Sequence, residues 1–184
     1  AHTEYDFSSQ RVGFEVFRFE GDQTVEHWDN IQARKGPNTA RYSMVDGPTQ
    51  VSDPEKTEAN RELVRAFIEE VVINNHFEKL SHYIDNECYI EHTPVLDDGL
   101  LVLTSALAQS NSIPDGDIKI RYDKLHRVLA EGSFVLSVSE GFTGGAHSSF
   151  YDLFRVADGN LVEHWNTTEA IPAPNEWKND NGKF

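Results

Sequence analysis

An α+β fold with an antiparallel sheet is predicted from three observations. An apolar stripe at helical period runs from Leu63 to Val72, a series of β-patterned segments follows from Ile118 to Thr168, and one hairpin motif occurs twice. The 184 residues, with 38% apolar and 11% aromatic side chains, suffice for one globular domain with an appendage. A formal net charge of −15 argues against a phosphate-backbone partner and against anionic membrane surfaces, so neither nucleic acid nor membrane is expected to bind. No apolar run approaches the ~20 residues of a membrane span, and Ala1 to Gln10 is polar, without a signal-peptide core. Cys88 stands alone, which excludes an internal disulfide and a thiolate metal cluster and points to a cytoplasmic chain.

The repeat organises the chain. Phe17-Arg18 and Val25-Glu26-His27-Trp28 recur 137 residues later as Phe154-Arg155 and Val162-Glu163-His164-Trp165. Each copy brackets a Gly-containing turn, at Gly21 and at Gly159, so both read as the same β-hairpin. A long patterned stretch precedes the second copy and almost nothing precedes the first. Residues 1–52 are therefore a partial repeat, hairpin plus a Gly/Pro/Asn/Ser-rich linker from Arg34 to Ser52, and residues 53–184 a complete domain. The start at Ala1, without Met, also fits a fragment of a longer chain with two full repeats.

The complete copy opens on a helix, with Asp53 as N-cap and Pro54 at its first position. Leu63, Val64, Phe67, Ile68, Val71 and Val72 form its apolar face. A shorter helix is expected from His76 to Tyr83, a short strand from Cys88 to His92 stopped by Pro94, and a third helix from Gly99 to Gln109. Four strands follow, Lys119–Ala130, Phe134–Glu140, Ser148–Val156 and Leu161–Thr168, divided by Gly-containing turns.

Tyr89-Ile90-Glu91-His92-Thr93-Pro94, Ser139-Glu140-Gly141, Tyr151-Asp152-Leu153-Phe154-Arg155 and Asp158-Gly159-Asn160-Leu161-Val162-Glu163-His164-Trp165 resemble the SnoaL-like polyketide cyclase branch of the nuclear transport factor 2-like superfamily, over about residues 53–184. The resemblance implies a cone, in which a curved antiparallel sheet wraps around about three helices and encloses a pocket. It also implies dimers that pack sheet to sheet. The homodimer expected here uses the outer sheet face, where Tyr151, Leu153 and Arg155 fall by alternation. The hairpin Phe14 to Ile31, marginal in isolation, is expected to dock on that face at the dimer interface, in its own chain or on a partner.

Strand parity assigns the pocket face. Phe150, Asp152 and Phe154 share one face; on the next strand Leu161, Glu163, Trp165, Thr167 and Glu169 are expected to join them, because Leu161 and Trp165 need burial. Phe134, Leu136, Val138 and Glu140 make a third such row. His164 falls on the opposite, outer face. An acid in apolar surroundings acquires the raised pKa of a general base. The candidate catalytic residues are accordingly Glu169, His92 and Asp152, and the candidate substrate-binding residues Glu140, Phe150, Glu163 and Trp165. Glu169 stands four residues after the tryptophan, where the resembled cyclases carry an Asp, and is one methylene longer. His92 is placed to donate to a substrate oxygen. The function expected is a cofactor-independent aldol-type cyclase, isomerase or lyase acting on a small apolar carbonyl compound, with no cofactor and no metal. The alternative is a non-catalytic ligand-binding or dimeric assembly module on the same fold.

Overall fold

The computed structural model describes residues 1–84, 89–94, 120–178 and 182–184. Strands β1 (His2–Asp6), β2 (Gln10–Glu20) and β3 (Gln23–Ala33) form an N-terminal meander. Helix α1 (Thr57–Phe67) follows, then β4 (Ile90–Glu91), β5 (Ile120–Glu131), β6 (Phe134–Thr143), β7 (Ala146–Ala157) and β8 (Asn160–Ala170). These last five make a curved sheet in the order β4-β8-β7-β6-β5, antiparallel throughout except for β4, which runs parallel to β8. The expected third helix, Gly99 to Gln109, and Cys88 lie outside the described residues. Among the described residues no helix is long and apolar enough to cross a membrane.

The apolar stripe does what its period requires. Val64, Phe67, Ile68 and Val71 are buried against Val135, Phe154, Val156 and Leu161 of the sheet, while Leu63 and Val72 pack at the margin. The helix widens after Phe67 into a π-turn, Ile68–Ile73, and His76 to Tyr83 contains only a short 3-10 helix, Phe77–His82. Asp53 is not the side-chain cap that the sequence leads one to expect. Its φ is +50° and its carboxylate caps nothing. The α-helix begins at Thr57, whose hydroxyl accepts from the Gly132 N–H and so ties the helix start to the β5–β6 turn.

The expected pocket face is corrected by one β-bulge. Arg155 pairs with Glu163, but its neighbour Val156 pairs with Leu161, which leaves Val162 as an extra residue in β8. An extra residue reverses the alternation beyond it. Leu161 therefore faces the helices together with His164, whereas Glu163, Trp165, Thr167 and Glu169 point to the other side. Leu153, paired with Trp165, and Leu136, paired with Leu153, lie on that outer face as well, and Val138 and Glu140 continue the row. Of the expected pocket residues, only Phe150, Asp152, Phe154 and Leu161 look toward the helices.

The outer face is covered by the chain's own N-terminal meander. Phe14 and Val16 pack with Val138, Tyr151, Leu153 and Trp165 in a second core. The Asn30 amide, fully buried, donates to the Ser149 carbonyl and hydroxyl at 3.1 and 2.7 Å. The linker is no passive spacer. Trp165 Nε1 donates to the Asp46 carbonyl at 2.7 Å and Asn38 Nδ2 to the Glu91 carbonyl at 2.6 Å. Gly47, with φ +115°, passes so close that a Cβ there would lie 2.6 Å from the Trp165 ring.

The two hairpins put equivalent residues in unequal environments. Phe154 is 3% exposed and packs edge-on against Phe67 at 5.6 Å, whereas its repeat counterpart Phe17 is 43% exposed. Phe154→Ala is expected to cost about 3–5 kcal/mol in urea unfolding, and Phe17→Ala under about 1 kcal/mol. Equal costs would contradict this layering.

Candidate active site

The helix-facing side of the sheet carries a chain of titratable groups. Asp152 on β7 and His164 on β8 are brought together because their strands pair as Asp152 with Asn166 and Phe154 with His164. His164 Nε2 lies 3.2 Å from an Asp152 oxygen, and its Nδ1 lies 3.0 Å from both oxygens of Glu91 on β4. A ring whose two nitrogens both face carboxylates requires a proton on each. The ring also stacks on Phe154 at 4.7 Å. Tyr122 of β5 donates its hydroxyl to Asp152 at 3.2 Å and stacks on Phe150 at 4.1 Å. Glu91 accepts from the Tyr89 hydroxyl at 2.9 Å and from the Thr93 N–H and hydroxyl at 2.9 and 2.6 Å.

The electrostatics follow from burial against pairing. Burial alone would lower the His164 pKa, but Glu91 and Asp152 outweigh it and push the ring up to about 10. Burial would raise Glu91; His164 and Thr93 hold it below the usual carboxylate range instead. Burial, and then the Asp152 charge, lift the Tyr122 phenol well above its ordinary value, so it remains a donor. The cluster holds a carboxylate, an imidazolium and a phenol within reach of one another, a set able to accept and donate protons. Among the described residues no group of three or more His, Cys, Asp or Glu is placed to hold a metal ion.

The other residues singled out by sequence lie elsewhere. His92, Glu163 and Trp165 meet one another on the outer face. His92 Nε2 is 2.9 Å from Glu163, its Nδ1 is 2.6 Å from the Ser43 carbonyl, and its ring stacks on Trp165 at 4.6 Å. Both nitrogens are engaged beneath the linker, so the expected donation to a substrate oxygen does not fit this geometry. Arg155 Nε binds the second Glu163 oxygen at 2.7 Å. Burial would raise Glu163, but His92 and Arg155 keep it lowered, so it lacks the raised pKa expected of a base. Glu140 sits 3.3 Å from both His126 and His147. Glu169 is ion-paired to Lys183 at 2.5 Å, away from the helices, so only Asp152 of the three catalytic candidates belongs to the inner cluster.

Glu91, Tyr122 and His164 were missed. His164 was assigned to the outer surface by the parity that the bulge reverses. Glu91 ends β4 and His92 follows it, and alternation sets the two on opposite faces, so placing His92 toward a substrate leaves no place there for Glu91. Nothing in the sequence near Tyr122 signals its partner thirty residues away.

On the outer side a cleft of about 620 Å³ opens between the N-terminal meander, the linker and the sheet. Its floor is the row Leu129, Leu136, Leu153 and Trp165 from four neighbouring strands, with Val16 and Phe134 beside it.

The inner cluster has a pH signature. Relative to an unfolded value of 6.5, a folded His164 near 10 contributes stability that is complete below pH 6.5 and lost as the pH climbs through 10. Glu91, lowered from 4.5, contributes stability that is complete above pH 4.5 and lost as the pH falls below it. The unfolding free energy in urea is expected to peak between pH 4.5 and 6.5 and to decline from 6.5 toward 10. A rise across that alkaline range would contradict the charged ring.

No family model matches the chain, and no curated protein gives a significant match. Solved structures do. A candidate ketosteroid isomerase from Kribbella flavida superposes with a TM-score of 0.52 at 15% identity, over 65% of this chain and 84% of that one. An NTF2-like protein of unknown function from Mesorhizobium loti gives 0.50 at 19% identity, over 66% and 100%. By these superpositions the present chain, with its curved sheet covered by a helix on one face, has the nuclear transport factor 2-like fold.

Proposed function

We propose that the protein is a cofactor-independent enzyme that moves a proton next to the carbonyl of a small apolar compound, the step common to aldol-type cyclases, isomerases and lyases. The observation that carries this reading is the Tyr122–Asp152–His164–Glu91 chain on the helix-facing side of the sheet, with the last three residues buried and Tyr122 partly exposed. Asp152 is the base. It takes the proton from the carbon next to the carbonyl, and the C–H electron pair moves into the enolate. The Tyr122 hydroxyl, displaced from Asp152 by substrate, donates to the enolate oxygen, where a protonated phenol in apolar surroundings stabilises developing charge. His164 is a positioning residue. Its charge is held by Glu91 and fixes the Asp152 carboxylate toward the ring. Protonated Asp152 then returns the proton to the same or a conjugated carbon; in the aldol case the enolate carbon attacks a second carbonyl, whose oxygen, left as an alkoxide, takes the proton from Asp152.

The second reading, a non-catalytic small-ligand module, is favoured by the outer cleft, whose apolar floor and size of about 620 Å³ fit a small apolar molecule. Deuterium exchange separates the two. A panel of small cyclic ketones and 1,3-diketones is incubated with protein in D2O and followed by NMR. The wild type is expected to exchange at least one member above the buffer rate. Asp152→Asn should lower that exchange by roughly 10²–10⁴-fold, with folding checked by circular dichroism. Exchange by a folded Asp152→Asn variant at the wild-type rate, or no catalysed exchange anywhere in the panel, would favour the binding module.

A further inference from the structure

Part of the contact between the N-terminal meander and the outer sheet face follows the repeat, although the Asn30 amide bonds to Ser149 have no counterpart. Each residue of the β2–β3 hairpin has its counterpart 137 positions later in β7–β8. Asn30 and Thr167 are counterparts, and they touch each other: Thr167 Oγ1 donates to the Asn30 carbonyl at 3.2 Å. Beside this position the bonds are reciprocal. The Ile31 N–H donates to the Glu169 carboxylate at 3.4 Å, and the Thr168 N–H donates to the Gln32 side-chain oxygen at 2.9 Å. Thr168 is the counterpart of Ile31, and Glu169 of Gln32. A pattern in which i meets j′ while i′ meets j, next to a self-paired position, is the signature of a two-fold axis. The apolar contacts obey it too, since Phe14 and its counterpart Tyr151 share one core with Val16 and its counterpart Leu153. The internal geometry of the hairpins also coincides. Both carry the bulge after the arginine, with Val25 and Val162 as the extra residues, and both carry the arginine–glutamate pair.

We propose that the N-terminal meander stands in for a second protomer. The chain closes on its own outer sheet face across a pseudo-two-fold axis, and a second copy of the same chain takes that face when β2–β3 is displaced. The bonds at the axis support the occupant named. In a true dimer the partner's Glu169 would replace Gln32 as acceptor for the Thr168 N–H, the bond that the Ile31 N–H already makes to Glu169 here. Thr167 would meet its own copy where it now meets Asn30, so no donor at the axis loses its acceptor class. This inference concerns the outer face and stands whether or not the inner cluster is catalytic.

Two measurements on the full chain test it. Lys183 Nζ lies 3.5 Å from Asp29 of β3, so a water-soluble carbodiimide should join them as an amide. Isotope-labelled and unlabelled protein are mixed, cross-linked and digested. The Asp29–Lys183 peptide is expected with both halves from one chain. Peptides with one labelled and one unlabelled half overturn closure within the chain. By sedimentation the wild type is expected at 20.8 kDa, and Asn30→Arg, which puts a charge at the buried axis, at twice that mass at tens of micromolar. A folded Asn30→Arg variant that remains a monomer overturns the latent dimer face. Should that variant fail to fold by circular dichroism, Gln32→Ala decides the same point: it removes the meander's acceptor for the Thr168 N–H and leaves Thr167, Thr168 and Glu169 of the sheet face as they are, and is expected to raise the dimer fraction over the wild type at tens of micromolar. An unchanged monomer overturns the latent dimer face.

Discussion

Everything in the arrangement of this molecule depends on the one extra residue at Val162. With Val156 opposite Leu161 and Arg155 opposite Glu163, β8 turns over by half a pleat, and the distal part of the strand exchanges its faces. A strand without the bulge would put Trp165 and Glu163 under the helices and His164 outside. With it, His164 is delivered between Asp152 and Glu91, and Trp165 becomes part of the floor of the outer face. Bulges re-aim side chains at little cost to the ladder. Here one bulge decides which residues meet in the buried Asp152–His164–Glu91 cluster and which are left to hold the linker.

Two charged clusters therefore lie back to back across a single sheet. On the inner side Glu91, His164 and Asp152 are capped by phenols and a threonine. On the outer side His92, Glu163 and Arg155 are closed off by the linker carbonyl of Ser43 and the indole of Trp165. Adjacent residues of β4 and its extension, Glu91 and His92, serve one cluster each. Both clusters obey the rule that buried charge persists only when it is paired and hydrogen-bonded. Removing the linker would leave the outer one open to water on the side where Ser43 now accepts.

The helix stripe, the strand series and the paired hairpins were legible because each rests on local periodicity or local turn chemistry. Val64, Phe67, Ile68 and Val71 are buried as their spacing demands. The site was legible only in part. Phe150 and Asp152 lie on the side of the sheet that alternation gave them, since β7 runs without interruption up to Arg155. Beyond that point the inference failed, and for a physical reason. Leu161 and Trp165 both require burial, but that does not set them on one face, because the sheet is buried on both, by helices on one side and by the N-terminal meander on the other. Where both faces are covered, an apolar residue no longer tells which way a strand is turned.

The repeat shows how far a motif alone can carry chemistry. His27 and Glu15 approach to 3.1 Å, as His164 and Asp152 approach to 3.2 Å; Phe17 stacks on His27 at 4.6 Å, as Phe154 stacks on His164 at 4.7 Å. The pattern of contacts is thus the same twice over, with Glu15 standing where the second copy has Asp152. The surroundings are not. The side chains of His27 and Glu15 are 40% and 21% exposed, those of His164 and Asp152 11% and 3%. An exposed pair of this kind is screened by water and salt and is worth about 0–1 kcal/mol. Under the helices the same pair gains a second carboxylate, from β4, and loses the solvent that would damp it, and so the imidazole is held charged far above its ordinary pH. What distinguishes a hairpin-building contact from a buried charged cluster in this chain is neither the histidine nor the acid but the layer laid over them, together with the single residue, Glu91, that the parallel strand adds to the edge of the sheet.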